Sequence, residues 1–398
     1  MKKLMSIILI TFIFYGCYRE KQTTIINRDY VTIQAQNIDF NADNQVLLSD
    51  FVDKIDIIPL EFTDSCILKE IGKIVIHDGN IFIIEARRPE IVFRFDMQGN
   101  FLNRIGVRGQ GPEELVELRD FSINEESHIV YLLDNMRQTV LCYTFDGHFI
   151  ESIKINQYAS ELEYKNGLFY LYFDQPVIGE HLYSLIIRNI KGEIENMFFP
   201  SRKYPINMGS RIFTKTNGEI LFHKPMNDTI YSLDGTTLKY TYYFDFGSLR
   251  YMPEEIKEIY MEQTTSLQVL LNNERISGID YLYQIGKWIY FNSIYKVMRY
   301  SFLYDMNNRK LKVSAHLWDD LEYMFYNNTF YGQTQDALIG VYETNNLLND
   351  IDRYARYEKE KYISNAQKEE QVKKMAKIMR GNNPEEMNPW VLLYYLKK

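Results

Sequence analysis

Arg87, Arg88, Arg108, Arg137 and Lys224, with His223 beside the last, carry the most readable chemistry in this chain. Arginine presents a planar fork that meets a carboxylate through two hydrogen bonds. Gathered on one surface, these side chains suit an anionic ligand such as a carboxylate or an acidic glycan. Glu85, Glu90, Glu113 and Asp134 lie close by and can instead pair with the same arginines. A second set is acidic. Asp134, Asp174 and Asp228 recur at comparable places after apolar runs. They can supply oxygen ligands to a hard divalent cation such as calcium, or each can cap its own loop by local hydrogen bonds.

Other familiar chemistries find no footing. His77, His128, His148, His181, His223 and His316 show no HExxH and no close pairing, so a zinc site is unsupported by spacing. The serines lack the setting of a nucleophile elbow, and no catalytic residue can be named. The glycines of Gly106–Gly111 are followed by Pro112-Glu113-Glu114 rather than by Lys-Ser/Thr and a helix. That is no phosphate loop; the glycines permit a tight crossing between structural units. Cys66 and Cys142 allow one disulfide, which an exported protein permits, but their separation gives it no support and two buried free thiols is the favoured reading. A net charge of −8 argues against non-specific nucleic-acid binding.

The elements that position these residues repeat. Tight turns fall at Asp96-Met97-Gln98-Gly99, Asp146-Gly147, Lys191-Gly192 and Asp234-Gly235. Such pairs supply the positive φ of hairpin turns. The spacing is roughly 45 residues, the period of a four-stranded propeller blade. Apolar runs such as Ile81–Ile84, Ile129–Leu132 and Trp288–Phe291 precede the turns, as buried second strands should. The high content of aromatics, 32 Tyr and 24 Phe, agrees with pleated surfaces. Blades are expected over 71–115, 118–156, 159–200, 210–247 and 278–319. A sixth begins at Leu321 and is completed by Pro389–Leu396, with Phe51–Leu60 helping to close the ring. Two insertions, about 253–274 and 347–380, read as helical. They suit helices packed on the rim, the second alternatively a partner-binding helix. In such a meander the candidate residues above fall on one face, where the second-to-third strand loops and the blade-to-blade links emerge.

The N-terminus is an address. Lys2 and Lys3 precede the apolar run Leu4–Tyr15, and Gly16-Cys17 follows. This resembles a bacterial lipoprotein signal peptide ending at a lipidated Cys17. Acyl chains contribute about 0.8 kcal/mol per buried CH₂, enough for stable anchoring. Residues 18–45 are expected to be a tether with an edge strand or two, and 46–398 the folded body.

The strand and turn pattern IFIIEARRPEIVFRFDMQGNFLNRIG and its copy IVYLLDNMRQTVLCYTFDGHFIESI, with Gly106–Glu114 and the Asn388-Pro389 strand, carries a family likeness. The chain resembles the six-bladed β-propeller lipoproteins of Bacteroidetes, with blades similar to NHL repeats. The resemblance implies an all-β fold and an envelope address, lipid-anchored at the outer membrane on its periplasmic or surface side. Together with the residues, it leads to the expectation of a non-enzymatic binding or scaffold protein without a cofactor. Its partners would be a protein or glycan at the loop face and a membrane through its lipid. The alternative is a lactonase-like hydrolase or lyase with a divalent cation on Asp134, Asp174 and Asp228.

Overall fold

The computed structural model describes residues 25–26, 29–40, 46–87, 89–173, 183–200, 211–216, 218–252, 254–256, 274–322, 329–344, 365–379 and 387–398. They form a six-bladed β-propeller. Blade one runs through Ile71–His77, Asn80–Glu85, Val92–Asp96 and Phe101–Ile105, from the axis outwards. Blades two to five follow with inner strands Leu118–Asn124, Glu161–Lys165, Phe213–Thr216 and Asp280–Ile285. Every neighbouring pair within these blades is antiparallel, as a meander of short hairpins requires.

Blade six is assembled from distant parts of the chain. Its strands, from the axis outwards, are Gly332–Gln333, Ala337–Tyr342, Trp390–Leu396 and Val52–Pro59. Leu392 sits opposite Gly340 on one side and Ile57 on the other. The C-terminal strand is therefore the third of the blade, and the N-terminal strand covers it. Asn388 locks this join. Its fully buried amide accepts from Leu68 N at 2.8 Å and donates to the Glu61 and Cys66 carbonyls at 2.6 Å each.

Apolar side chains from facing blades make six cores, one between each pair of neighbours around the ring. Cys66 and Cys142 are both free and buried in two different cores, between blades six and one and between blades two and three. Burial pushes the Cys142 thiol up to about 12. The turn glycines serve these junctions directly. Gly99, Gly147 and Gly192 have φ of 82°, 86° and 80°. A Cβ on them would lie 2.0, 2.9 and 2.4 Å from the carbonyl oxygens of Pro59, Arg104 and Lys154, on the outer strands of the preceding blades. Left-handed backbone and close approach together require glycine.

Beyond the blades, Ile25–Ile26 and Val31–Gln34 pair in parallel with the outer strand of blade four, Thr237–Asp245. The helix Asn365–Met379 packs Met375, Ile378 and Met379 against the core between blades five and six. Gln371 donates to the Glu322 carbonyl, and Lys374 pairs with the Glu322 carboxylate. This helix is the described part of the 347–380 insertion. Most of the 253–274 insertion, and Cys17 with its leader, lie outside the described residues. Among the described residues, no helix is long and apolar enough to cross a membrane.

Candidate functional site at the loop face

Inner strands line the propeller axis, and their charged positions set its chemistry. The strand IGKIVIH places Lys73 there, LRDFSIN places Asp120, ELEYK places Glu161 and Glu163, and FTKT places Lys215. Lys73 Nζ pairs with Asp120 Oδ1 at 2.9 Å and donates to the Phe121 carbonyl at 2.6 Å. Asp120 Oδ2 accepts from Leu162 N at 2.9 Å. Lower in the channel, Lys215 pairs with Glu163 at 3.2 Å, and the Ser122 hydroxyl donates to the same carboxylate. Burial alone would raise the Glu163 carboxyl; Lys215 and Lys73 outweigh it and hold it below the ordinary range. Burial would likewise lower Lys215, but Glu163 and Glu125 raise it.

The channel widens to a cavity of about 780 Å³ on the face of the second-to-third strand loops and blade links. Arg87, Glu90, Arg108, Glu117, Arg119 and Ser160 line its wall, and Lys73, Asp120, Glu161 and Arg211 its floor. Arg211 precedes blade four and donates to the Gly72 carbonyl of blade one at 2.9 Å, so its side chain bridges the channel. A second cavity of about 570 Å³ opens at the opposite, turn-bearing mouth.

Glu161 is the perturbed group of the floor. Burial, then the neighbouring Asp120 charge, pushes its carboxyl up to about 8, against the opposing pull of the Ile212 N–H, Arg211 and Lys73. The folded state therefore holds a proton that the unfolded chain releases near 4.5. Stability falls as pH rises through the window from 4.5 to about 8, and levels off above it. Glu161→Gln abolishes that part of the slope. Urea midpoints measured across the window for both chains check it; parallel curves would refute the assignment.

The residues singled out in the sequence divide. Arg87 and Arg108 line the cavity, yet each is already paired, Arg87 with Glu70 at 3.1 Å and Arg108 with Glu90. Arg137 turns into the junction below the glycine segment, where Nη2 donates to the Gly111 carbonyl at 2.6 Å. His223 is fully buried, its Nε2 is 2.8 Å from the Arg211 carbonyl, and burial pushes its pKa down to about 4. Lys224 sits over the Phe199 ring, 4.4 Å from its centroid. Asp134 is fully buried and accepts from the amides of Val116 at 2.7 Å and Arg137 at 3.1 Å. Asp228 lies beside Arg250 and Asp245 of the blade-four periphery, and burial pushes its carboxyl up to about 7. The two aspartates thus serve separate blades. Among the described residues, no group of three or more His, Cys, Asp or Glu is placed to hold a metal ion. Arg88 and Asp174 lie outside the described residues. Lys73, Asp120, Glu161, Arg119 and Arg211 were not anticipated. The available signal was a charge in the inner strand that opens a blade, alone for Lys73 in IGKIVIH but with charged neighbours for Asp120 in LRDFSIN and Glu161 in ELEYK.

A family model described as a domain of unknown function (DUF4934) matches residues 31–395. The chain belongs to the DUF4934 family. An inferred exported protein of Bacteroides fragilis has a solved structure similar to this DUF4934 chain. It is 18% identical with a TM-score of 0.74, and the match covers 93% of this chain and 100% of that one. A DUF4221 member from Bacteroides vulgatus is 12% identical with a TM-score of 0.48, covering 87% and 97%. Glutaminyl cyclase of Myxococcus xanthus is 12% identical with a TM-score of 0.34, covering 72% and 99%. No curated protein matches the DUF4934 chain. The first likeness shows the fold alone.

Proposed function

We propose that this chain is an exported binding protein, anchored to the outer membrane through lipid on Cys17, whose loop-face cavity holds a glycan or a segment of protein. The cavity itself carries the reading. Its volume of about 780 Å³ is that of a ligand pocket, and it is bridged by Arg211 at its floor. Its wall mixes both signs of charge with tyrosine and aliphatic surface. Six rigid sheets hold these groups in place, so a ligand meets a preformed site.

Glycan and peptide arrays probed with the full chain test it. Ala86→Trp places an indole on the cavity wall without removing a polar partner. Specific hits that vanish in this variant place the ligand in the cavity; hits that survive it sink the proposal. The exported neighbour and the Lys2–Cys17 leader support the address. Cys17→Ala removes the acylated thiol, and the chain then moves from the membrane fraction to the soluble envelope fraction. Unchanged fractionation and absent labelling by a radioactive fatty acid would discard the anchor.

A further inference from the structure

The floor of the cavity is more specific than a mixed-charge wall requires. Three blades fix Arg211. Its Nη2 bonds the Gly72 carbonyl, its own carbonyl is held by His223 Nε2, and the next amide, Ile212 N, donates to Glu161 Oε2 at 2.8 Å. A guanidinium has five N–H donors, and among the described residues Gly72 takes one. The side chain lines both the loop-face cavity and the small cavity of about 100 Å³ beneath it. Six basic and five acidic side chains line the larger cavity, an excess of positive charge in a chain of net −8. Tyr172 and Tyr281 add aromatic surface to the same wall.

We infer that Arg211 is the recognition residue for the carboxylate of a small sugar acid bound in this cavity, with Glu161 beside it. The inference rests on the cavity being the binding site. A sugar acid fits the interleaved signs: its hydroxyls donate and accept, so they satisfy carboxylates and cations alike. An acidic peptide would bring several charges against the carboxylates of Glu85, Glu90, Glu117 and Asp120. Glu161 faces Asp120 of blade two, Lys73 of blade one, Arg211 and the Ile212 amide ahead of blade four, and Tyr281 of blade five. Protonated, it neither neutralises Arg211 nor repels the ligand. Ionised, it does both.

Calorimetric titration of the full chain tests this with three probes: digalacturonate, its neutral counterpart galactobiose, and triglutamate. Digalacturonate binds, and galactobiose binds more weakly by about tenfold or more, the worth of a charge-assisted hydrogen bond. Arg211→Gln removes that preference, and Arg211→Lys restores part of it. Affinity of the parent chain falls as pH rises through about 8, whereas Glu161→Gln binds with no such fall. Equal binding of the two sugars overturns the inference and needs no variant. A folded Arg211→Gln chain with unchanged affinity does the same. Triglutamate binding as tightly as digalacturonate overturns the sugar assignment. Array hits that Ala86→Trp abolishes, with no digalacturonate binding, overturn this inference and leave the binding proposal standing. If Ala86→Trp abolishes nothing, both fall.

Discussion

Asn388→Leu lowers the unfolding free energy by about 3–5 kcal/mol, a loss near the upper end for a single substitution. Leucine has the same branched heavy-atom skeleton as asparagine, so the buried slot stays filled. What it cannot replace are the three hydrogen bonds to Leu68 N, Glu61 O and Cys66 O. A buried amide hydrogen and the Cys66 carbonyl are left without these partners; the Glu61 carbonyl keeps only the weak Cys66 thiol at 3.1 Å. Asn388→Asp should be at least as damaging, since a carboxylate would then face two carbonyl oxygens. Denaturant midpoints at unchanged slope give the number. A loss below about 1 kcal/mol would mean that the amide contributes no more than an ordinary hydrogen bond.

Gly99→Ala is the second severe change, and its control lies elsewhere on the ring. The new methyl would stand 2.0 Å from the Pro59 carbonyl oxygen, and the backbone there has φ of 82°. Relief requires blade one to separate from the outer strand of blade six, at about 3 kcal/mol or more. Gly167 has nearly the same φ, 80°, but nothing within 4 Å of its added Cβ. Gly167→Ala therefore costs only the left-handed backbone, about 1–2 kcal/mol. Thermal or chemical unfolding of the pair separates steric overlap from conformational preference. Equal losses would show that the blade contact at Gly99 contributes nothing.

The architecture was legible because each blade repeats a local signal. Asp146-Gly147 and Lys191-Gly192 announce hairpins from two residues, and the structure gives both glycines positive φ. The strand character of Pro389–Leu396 and Phe51–Leu60 similarly identified the two ends of the chain that meet in blade six. The cavity was less legible. Strand counting puts Arg87 and Arg108 on its face, but their pairing with Glu70 and Glu90 depends on how links and loops fold back. Glu70 lies in the link from blade six, outside the pattern of the repeat. The floor depends on convergence: Gly72 and Arg211 are separated by most of three blades of sequence and joined by one hydrogen bond. Strand periodicity says that Lys73 and Asp120 share a phase with buried neighbours, not that they touch at 2.9 Å. His223 also stood in the sequence as a ligand-facing candidate. The structure buries it completely, behind the backbone of Arg211.

The composite sixth blade also fixes an order of events in time. Blades one to five are built from pairings between neighbouring hairpins, which a growing chain can make as they emerge. The pairing of Val52 with Leu396 spans almost the whole sequence. It brings a large loop-closure cost and belongs late in assembly, because distant contacts slow folding. Until Trp390–Leu396 arrives, both Ala337–Tyr342 and Val52–Pro59 present unpaired backbone to any passing chain. A translation product that stops short of residue 390 is consequently a substrate for aggregation and proteolysis, even though five of its blades are complete.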